Sequence, residues 1–133
     1  MLCTIRVDGA ENDGQPMEVM AVLEEADAAT HIPGTGEEAY VVVDPRSITL
    51  YATPADSSAR NVFYGEIVQV LHLGAAIGLE GKDDGRVRVS ILLDRSLPPL
   101  TAEITEASAA RMELSEGKMI YAAFKATEAR AYT

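Results

Sequence analysis

Apolar and polar residues alternate along several short stretches of the chain, which is the period-two pattern of β-strands with one buried face. The clearest stretch spans residues 86–93, where every second residue from Val87 to Leu93 is a branched apolar one. Comparable stretches between turn residues predict further strands over residues 2–7, 17–23, 40–43, 47–51, 64–73, 100–104 and 118–124. The pattern therefore predicts an all-β protein.

One helix interrupts the predicted strands, over residues 106–114. Thr105 is a suitable N-cap, and Gly117 follows the predicted end. Between them, Ala107, Ala110 and Leu114 form a narrow apolar stripe. About five short strands with one short helix are typical of a small OB-like barrel.

Composition narrows the class of protein further. The chain has 133 residues, 47% of them apolar and 24% charged, which suits one ordinary domain or two very small barrels. A formal net charge of -10 argues against a nucleic-acid partner, because such proteins need a basic face. No run approaches the roughly 18 apolar residues that a membrane span needs, so we expect a cytoplasmic protein with no direct membrane insertion.

The charge is unevenly distributed between two parts of the chain. Residues 1–53 contain ten acidic and two basic side chains, whereas residues 54–133 contain eleven and nine. A polar stretch with a strand-breaking proline, Pro54, marks the boundary. We therefore expect two segments, 1–53 and 54–133, with any anion site in the second.

Several enzymatic chemistries are disfavoured by the sequence. Residues 34–39 match the letters of a dinucleotide fingerprint, but a β-branched run follows where the helix should begin. No phosphate-binding loop ends in Gly-Lys-Ser/Thr, and His31 and His72 lack partners at metal-ligand spacing. We expect no enzyme activity, no cofactor and no resident metal.

Three segments combine side chains that can donate hydrogen bonds to an anion. They are residues 57–61, 104–108 and 121–127, and their charged donors are Arg60 and Lys125. Hydroxyl donors are Ser58, Thr105, Ser108 and Thr127. A tetrahedral dianion offers only acceptors, so a pocket for it must supply donors from several directions. The set contains no acceptor for the proton of phosphate, which predicts that phosphate is rejected.

At these three segments the chain resembles the molybdate-binding TOBE (Mop-like) domains, over roughly residues 54–130. The resemblance implies small OB-like barrels of the TOBE/Mop type, a molybdate or tungstate ligand, and sites at the interface between paired modules. It assigns oxyanion binding to Ser58, Arg60, Thr105, Ser108, Lys125, Ala126 and Thr127. Because such sites lie between modules, the resemblance also implies a homodimer or higher homo-oligomer. Glu106 would have to point away from a bound oxyanion.

The first part, 1–53, resembles part of the C-terminal regulatory region of ABC-transporter ATPases and reads as a partial TOBE-like β segment. This implies a sensor domain that restrains a molybdate or tungstate importer, with an ABC ATPase and its membrane permease as partners at the inner face of the membrane. One alternative is a stand-alone molybdate storage or buffering protein. Another is an OB-type nucleic-acid or sugar-linked interaction module, which two Phe and no Trp disfavour.

Overall fold

The computed structural model describes residues 1–23, 38–74 and 85–132. These residues form nine strands and one short helix. The strands are β1 (Leu2–Asn12), β2 (Gln15–Leu23), β3 (Tyr40–Val43), β4 (Thr49–Tyr51), β5 (Asn61–Leu73), β6 (Arg86–Leu92), β7 (Leu100–Thr105), β8 (Met119–Phe124) and β9 (Ala129–Tyr132). The helix, α1, spans Glu106–Arg111, and two 3₁₀ turns lie at Pro45–Ser47 and Ala126–Glu128.

The strands form two sheets. The first has the order β1-β2-β9-β3 and the second has the order β4-β8-β5-β6-β7. All neighbours are antiparallel except β2 and β9, which run parallel. In the second sheet, the 3₁₀ turn before β4 lies beside β7, so the two edges of the sheet approach each other as in an open barrel. The predicted all-β class with one short helix is confirmed.

Each sheet contains one strand from the other part of the chain. β9 lies between β2 and β3 of the first part, and β4 of the first part pairs with β8. The boundary between residues 53 and 54 therefore does not separate the two sheets. The division of the chain into domains at that point stays a prediction.

The core lies between the sheets and contains the predicted apolar face of β6. Its largest fully buried apolar side chains are Ile67, Val87, Val89, Ile91 and Ile120. Alanines of β8 and β9 also belong to the core, together with larger side chains of β2, β4 and β5. The alternating pattern of β6 thus points its branched residues inward, as the sequence predicts. The predicted stripe of α1 is wrong, because Ala109 is the buried residue of the helix and Ala107 and Ala110 are exposed.

Several boundaries differ from the predicted ones. β1 continues to Asn12 because a bulge after Arg6, with Gly9 at φ 74°, keeps the strand paired with β2. β5 begins three residues earlier than predicted, and β9 was not predicted at all. The dinucleotide-like letters (apart from their last two residues) and His31 lie outside the described residues.

The helix begins where the sequence predicts and ends three residues earlier. Leu114 N–H donates to Ala109 C=O and Glu113 N–H donates to Ala110 C=O, which together form a Schellman motif. Glu113, at φ 52°, takes the left-handed position that glycine usually occupies. Gly117, which follows the predicted helix end, belongs instead to the turn before β8.

No helix in the described part of the chain has the length and apolar character to cross a membrane.

Candidate functional site

Strand register brings three chain segments together at one end of the second sheet. Asn61 pairs with Phe124, so the residues before β5 lie beside those after β8. Thr49 pairs with Ala123, which places β4 on the other side of β8. The 3₁₀ turn Pro45–Ser47, residues 57–60 and residues 125–128 therefore share one end of this sheet.

An open pocket of about 270 Å³ lies where these segments meet. Its polar side chains are mainly hydroxyls, with one cation and one carboxylate. The lining residues are Ser47, Thr49, Tyr51, Ser57, Ser58, Ala59, Ala123, Phe124, Lys125 and Glu128. Since a water molecule occupies about 30 Å³ of liquid, the pocket has room for a small polyatomic anion and its remaining hydration.

Short-range hydrogen bonds fix two of the converging segments. The Ser57 hydroxyl accepts from Ala59 N–H at 3.3 Å, which turns the chain just before β5. Asp44 caps the 3₁₀ turn that carries Ser47, accepting from Arg46 N–H at 2.9 Å. The hydrogen bonds from the Arg46 guanidinium lower the pKa of Asp44 below its usual value, so the cap is charged at neutral pH.

Two of the seven predicted site residues line the pocket, Ser58 and Lys125. Arg60 lies just outside the lining, with an exposed side chain that makes no hydrogen bond or ion pair within the described residues. Ala126 is buried and Thr127 is exposed, both in the 3₁₀ turn that follows Lys125. The four donors of this group, Ser58, Arg60, Lys125 and Thr127, are thus accessible to solvent.

Thr105 and Ser108 form a separate group at the start of α1. The Thr105 hydroxyl accepts from Ser108 N–H at 3.1 Å, as an N-cap, and donates to the Ser108 hydroxyl at 3.0 Å. Glu106 lies 2.9 Å from His72 Nδ1 of β5. The two hydroxyls are absent from the lining of the Lys125 pocket.

Four of the ten residues that line the pocket lie outside the predicted donor segments. Ser47, Thr49, Tyr51 and Glu128 reach it only through the pairing of β4 with β8 and the 3₁₀ turn after β8. Glu128 is a hydrogen-bond acceptor that the predicted set of donors does not include. No local pattern marks these residues, since their role depends on cross-strand register.

Asn61, within the predicted donor segment, has a structural role. Its side chain is 2% exposed and faces β2, where its amide donates to Met20 C=O and its carbonyl accepts from Met20 N–H, both at 2.8 Å. This side chain ties the start of β5 to the first sheet. Asn61 therefore sets the position of the segment that precedes it.

A second open cleft of about 320 Å³ lies between the β1–β2 hairpin and the outer face of β5 and β8. Tyr64 and Tyr121 pack there with ring centroids 4.5 Å apart. Its lining includes Asp13 and Glu18 and contains no basic side chain. The cleft is unsuited to an anion.

Across residues 1–23, 38–74 and 85–132, no group of three or more His, Cys, Asp or Glu could hold a metal ion.

Comparison with known proteins defines the family. The model of the TOBE domain matches residues 57–131, which is more than half of the chain. The chain therefore belongs to the TOBE domain family, as its sequence motifs indicate.

A solved structure extends the likeness to the whole chain. The cytoplasmic molybdate-binding protein ModG, crystallised with molybdate bound, superposes with a TM-score of 0.70 at 19% sequence identity. The match covers 98% of this chain and 94% of the ModG chain. The OB-type fold expected from the sequence is thus confirmed. A comparison with curated proteins gives no match.

Proposed function

We propose that this TOBE domain binds a tetrahedral metal oxyanion, molybdate or tungstate, in the pocket lined by Ser58 and Lys125. The observation that carries the proposal is the convergence of these two predicted donors in one open pocket. Lys125 supplies a positive charge, and hydroxyls of Ser47, Thr49 and Tyr51 supply further donors. Such a donor set suits an anion with four equivalent acceptor oxygens.

The separation of the two donor groups supports a site shared between copies of the chain. Thr105 and Ser108 line no part of the Lys125 pocket, so one chain offers donors from one side only. In a symmetric dimer each copy gives and receives the same surface, and donors from two copies can enclose one ligand. We propose a homodimer or higher homo-oligomer with Thr105 and Ser108 of one copy facing Arg60, Lys125, Ala126 and Thr127 of another.

The proposed role is that of a non-enzymatic, cytoplasmic oxyanion-binding protein. The nearly complete overlap with ModG, itself described as cytoplasmic and molybdate-binding, supports a stand-alone storage or buffering protein. The second candidate is the regulatory domain of a molybdate or tungstate importer, acting on an ABC ATPase and its membrane permease. The resemblance of residues 1–53 to the regulatory region of such ATPases favours this candidate. A pull-down with that ATPase separates the two roles.

An OB-type module for nucleic acids is a weaker candidate. The Tyr64 and Tyr121 pair could stack on bases, but the cleft beside this pair carries Asp13 and Glu18. Carboxylates repel a phosphate backbone, so this surface does not favour a nucleic-acid strand.

Calorimetric titration of the full chain with molybdate, tungstate and sulfate tests the proposal. Lys125→Ala and Arg60→Ala should each weaken metal-oxyanion binding by about 10- to 150-fold, through the loss of charge-assisted hydrogen bonds of roughly 1.5 to 3 kcal/mol. Arg6→Ala is the matched control, because Arg6 is an exposed β1 side chain paired with Glu18 at 3.3 Å. Flat titrations of folded wild-type protein with both metal oxyanions would refute the proposal.

A further inference from the structure

The pocket proposed for the oxyanion contains a carboxylate beside its cation. Lys125 precedes the 3₁₀ turn Ala126–Glu128, and Glu128 ends it. Glu128 N–H donates to Lys125 C=O at 3.0 Å, which folds the turn so that both residues line the pocket. Lys125 and Glu128 make no ion pair with each other or with any other described residue. Among the described residues, the negative charge of Glu128 therefore has no ion-pair partner.

A carboxylate at an anion site acts differently on two kinds of oxyanion. Molybdate, tungstate and sulfate are fully deprotonated at neutral pH, so they offer only acceptors and are repelled by a second acceptor. Inorganic phosphate retains at least one proton under the same conditions. Its O–H can donate a charge-assisted hydrogen bond to a carboxylate.

We infer that Glu128 is a specificity-determining residue of this pocket. Because of Glu128, the affinity of the pocket for an oxyanion depends on whether that oxyanion carries a proton. The inference rests on the proposed function, since it concerns the same pocket. Glu128 lowers the affinity of the pocket for unprotonated dianions and gives hydrogen phosphate an acceptor. The pocket then discriminates against phosphate less strongly than a purely donating pocket would.

The test compares the wild-type full chain with Glu128→Gln by calorimetric titration of sodium molybdate and of inorganic phosphate at pH 7.5, in buffer free of other oxyanions. Glutamine keeps the size of the side chain and removes the charge. We expect Glu128→Gln to tighten molybdate binding by about 3- to 10-fold. We expect the same variant to weaken phosphate binding by about 10-fold or more, because the charge-assisted hydrogen bond is lost.

Glu116→Gln is the matched control, because it changes net charge by the same amount at an exposed turn that does not line the pocket. It should change neither affinity by more than about twofold. Thermal melting verifies that each variant is folded, and Glu128→Ala gives a second removal of the carboxylate if Glu128→Gln is unstable.

The outcomes separate this inference from the proposed function. If folded wild type and Glu128→Gln both fail to bind molybdate, the proposed function is refuted and the inference with it. If wild type binds molybdate and removal of the carboxylate leaves the ratio of the molybdate and phosphate affinities unchanged, the inference alone is overturned. A ratio that shifts towards molybdate by tenfold or more supports it.

Discussion

Asn12 and Asn61 each join the two sheets through a side-chain amide that bonds to the backbone of a strand in the other sheet. The Asn61 side chain of β5 satisfies both backbone groups of Met20 on β2. The Asn12 side chain of β1 donates to Tyr64 C=O at 2.7 Å and accepts from Tyr64 N–H at 2.8 Å on β5. Each amide thus replaces a missing strand partner, so the β1–β2 hairpin is fastened to β5 at two points.

Replacing Asn61 should therefore destabilise the protein without removing an oxyanion donor. Asn61→Ala leaves Met20 N–H and C=O without their partner, and we expect the free energy of unfolding to fall by about 2–3 kcal/mol. Urea denaturation measures the change. Asn61→Asp should be more harmful, because its carboxylate cannot donate to Met20 C=O and is buried. A stability equal to wild type for both variants would show that the contact is dispensable.

Gly65 lies where the backbones of β5 and β6 leave no room for a side chain. A Cβ at this position would lie 2.5 Å from Leu92 carbonyl oxygen and 2.8 Å from Ile91 Cγ2. Because Ile91 is fully buried, little relaxation is available, and Gly65→Ala should lower the free energy of unfolding by about 1–3 kcal/mol. Glu66→Ala, on the exposed side of the same strand, should change it by less than about 0.5 kcal/mol. Equal effects of the two variants in urea melts would contradict the close packing.

The end of α1 offers a stabilising substitution. Glu113 has a φ of 52°, a conformation that costs a residue with a side chain about 1 kcal/mol relative to glycine. Glu113→Gly should raise the free energy of unfolding by about 0.5–1 kcal/mol, after the larger entropy of glycine in the unfolded chain is included. The control Glu116→Gly, where φ is not positive, should give no gain. Differential scanning calorimetry distinguishes the two, and a loss at position 113 would exclude the Schellman geometry.

Asp94 makes stability depend on pH in the acidic range. The Ser96 hydroxyl donates to it at 2.6 Å, and Glu11 and Ser96 N–H groups donate at 2.9 and 2.8 Å, which lowers the pKa of the carboxyl. A lowered folded-state pKa stabilises the protein above the unfolded value of about 4, and this contribution is lost as the pH falls through the folded-state pKa. Asp94→Asn should therefore be less stable than wild type at pH 7.

The difference between Asp94→Asn and wild type should close as the pH is lowered below about 4. Urea midpoints measured at pH 7, 5 and 3 follow it. Asp56→Asn, an exposed residue before β5, serves as the control and should show no such convergence. A gap of constant size across this range would mean that ionisation of Asp94 does not stabilise the fold.

The strands that the sequence predicts are those whose burial follows a local pattern. β6 alternates branched apolar and polar residues, so its inward face is visible without knowledge of its neighbours. β9 has small alanines at its buried positions, and only its place between β2 and β3 buries them. The early start of β5 has the same origin, because Asn61 is a polar residue that is buried and bonded to Met20 of the other sheet.

The residues of the candidate site were likewise predictable only where a local sequence pattern marks them. Ser58 and Lys125 belong to contiguous segments with a recognisable donor pattern, and the structure places both in one pocket. Thr49, Tyr51 and Glu128 join them through strand pairing and the turn after β8, which no local pattern encodes. The assignment of Arg60, Thr105, Ser108, Ala126 and Thr127 to ligand binding stays a prediction.

The position of β9 determines when the first sheet can close during translation. β2 and β3 leave the ribosome early, but the strand that joins them comes from residues 129–132. Until those residues emerge, the nascent chain exposes two unpaired strand edges, which are prone to pair with other chains. The sheet that is synthesised first is therefore the last to close, and slow translation would prolong the exposure of these edges.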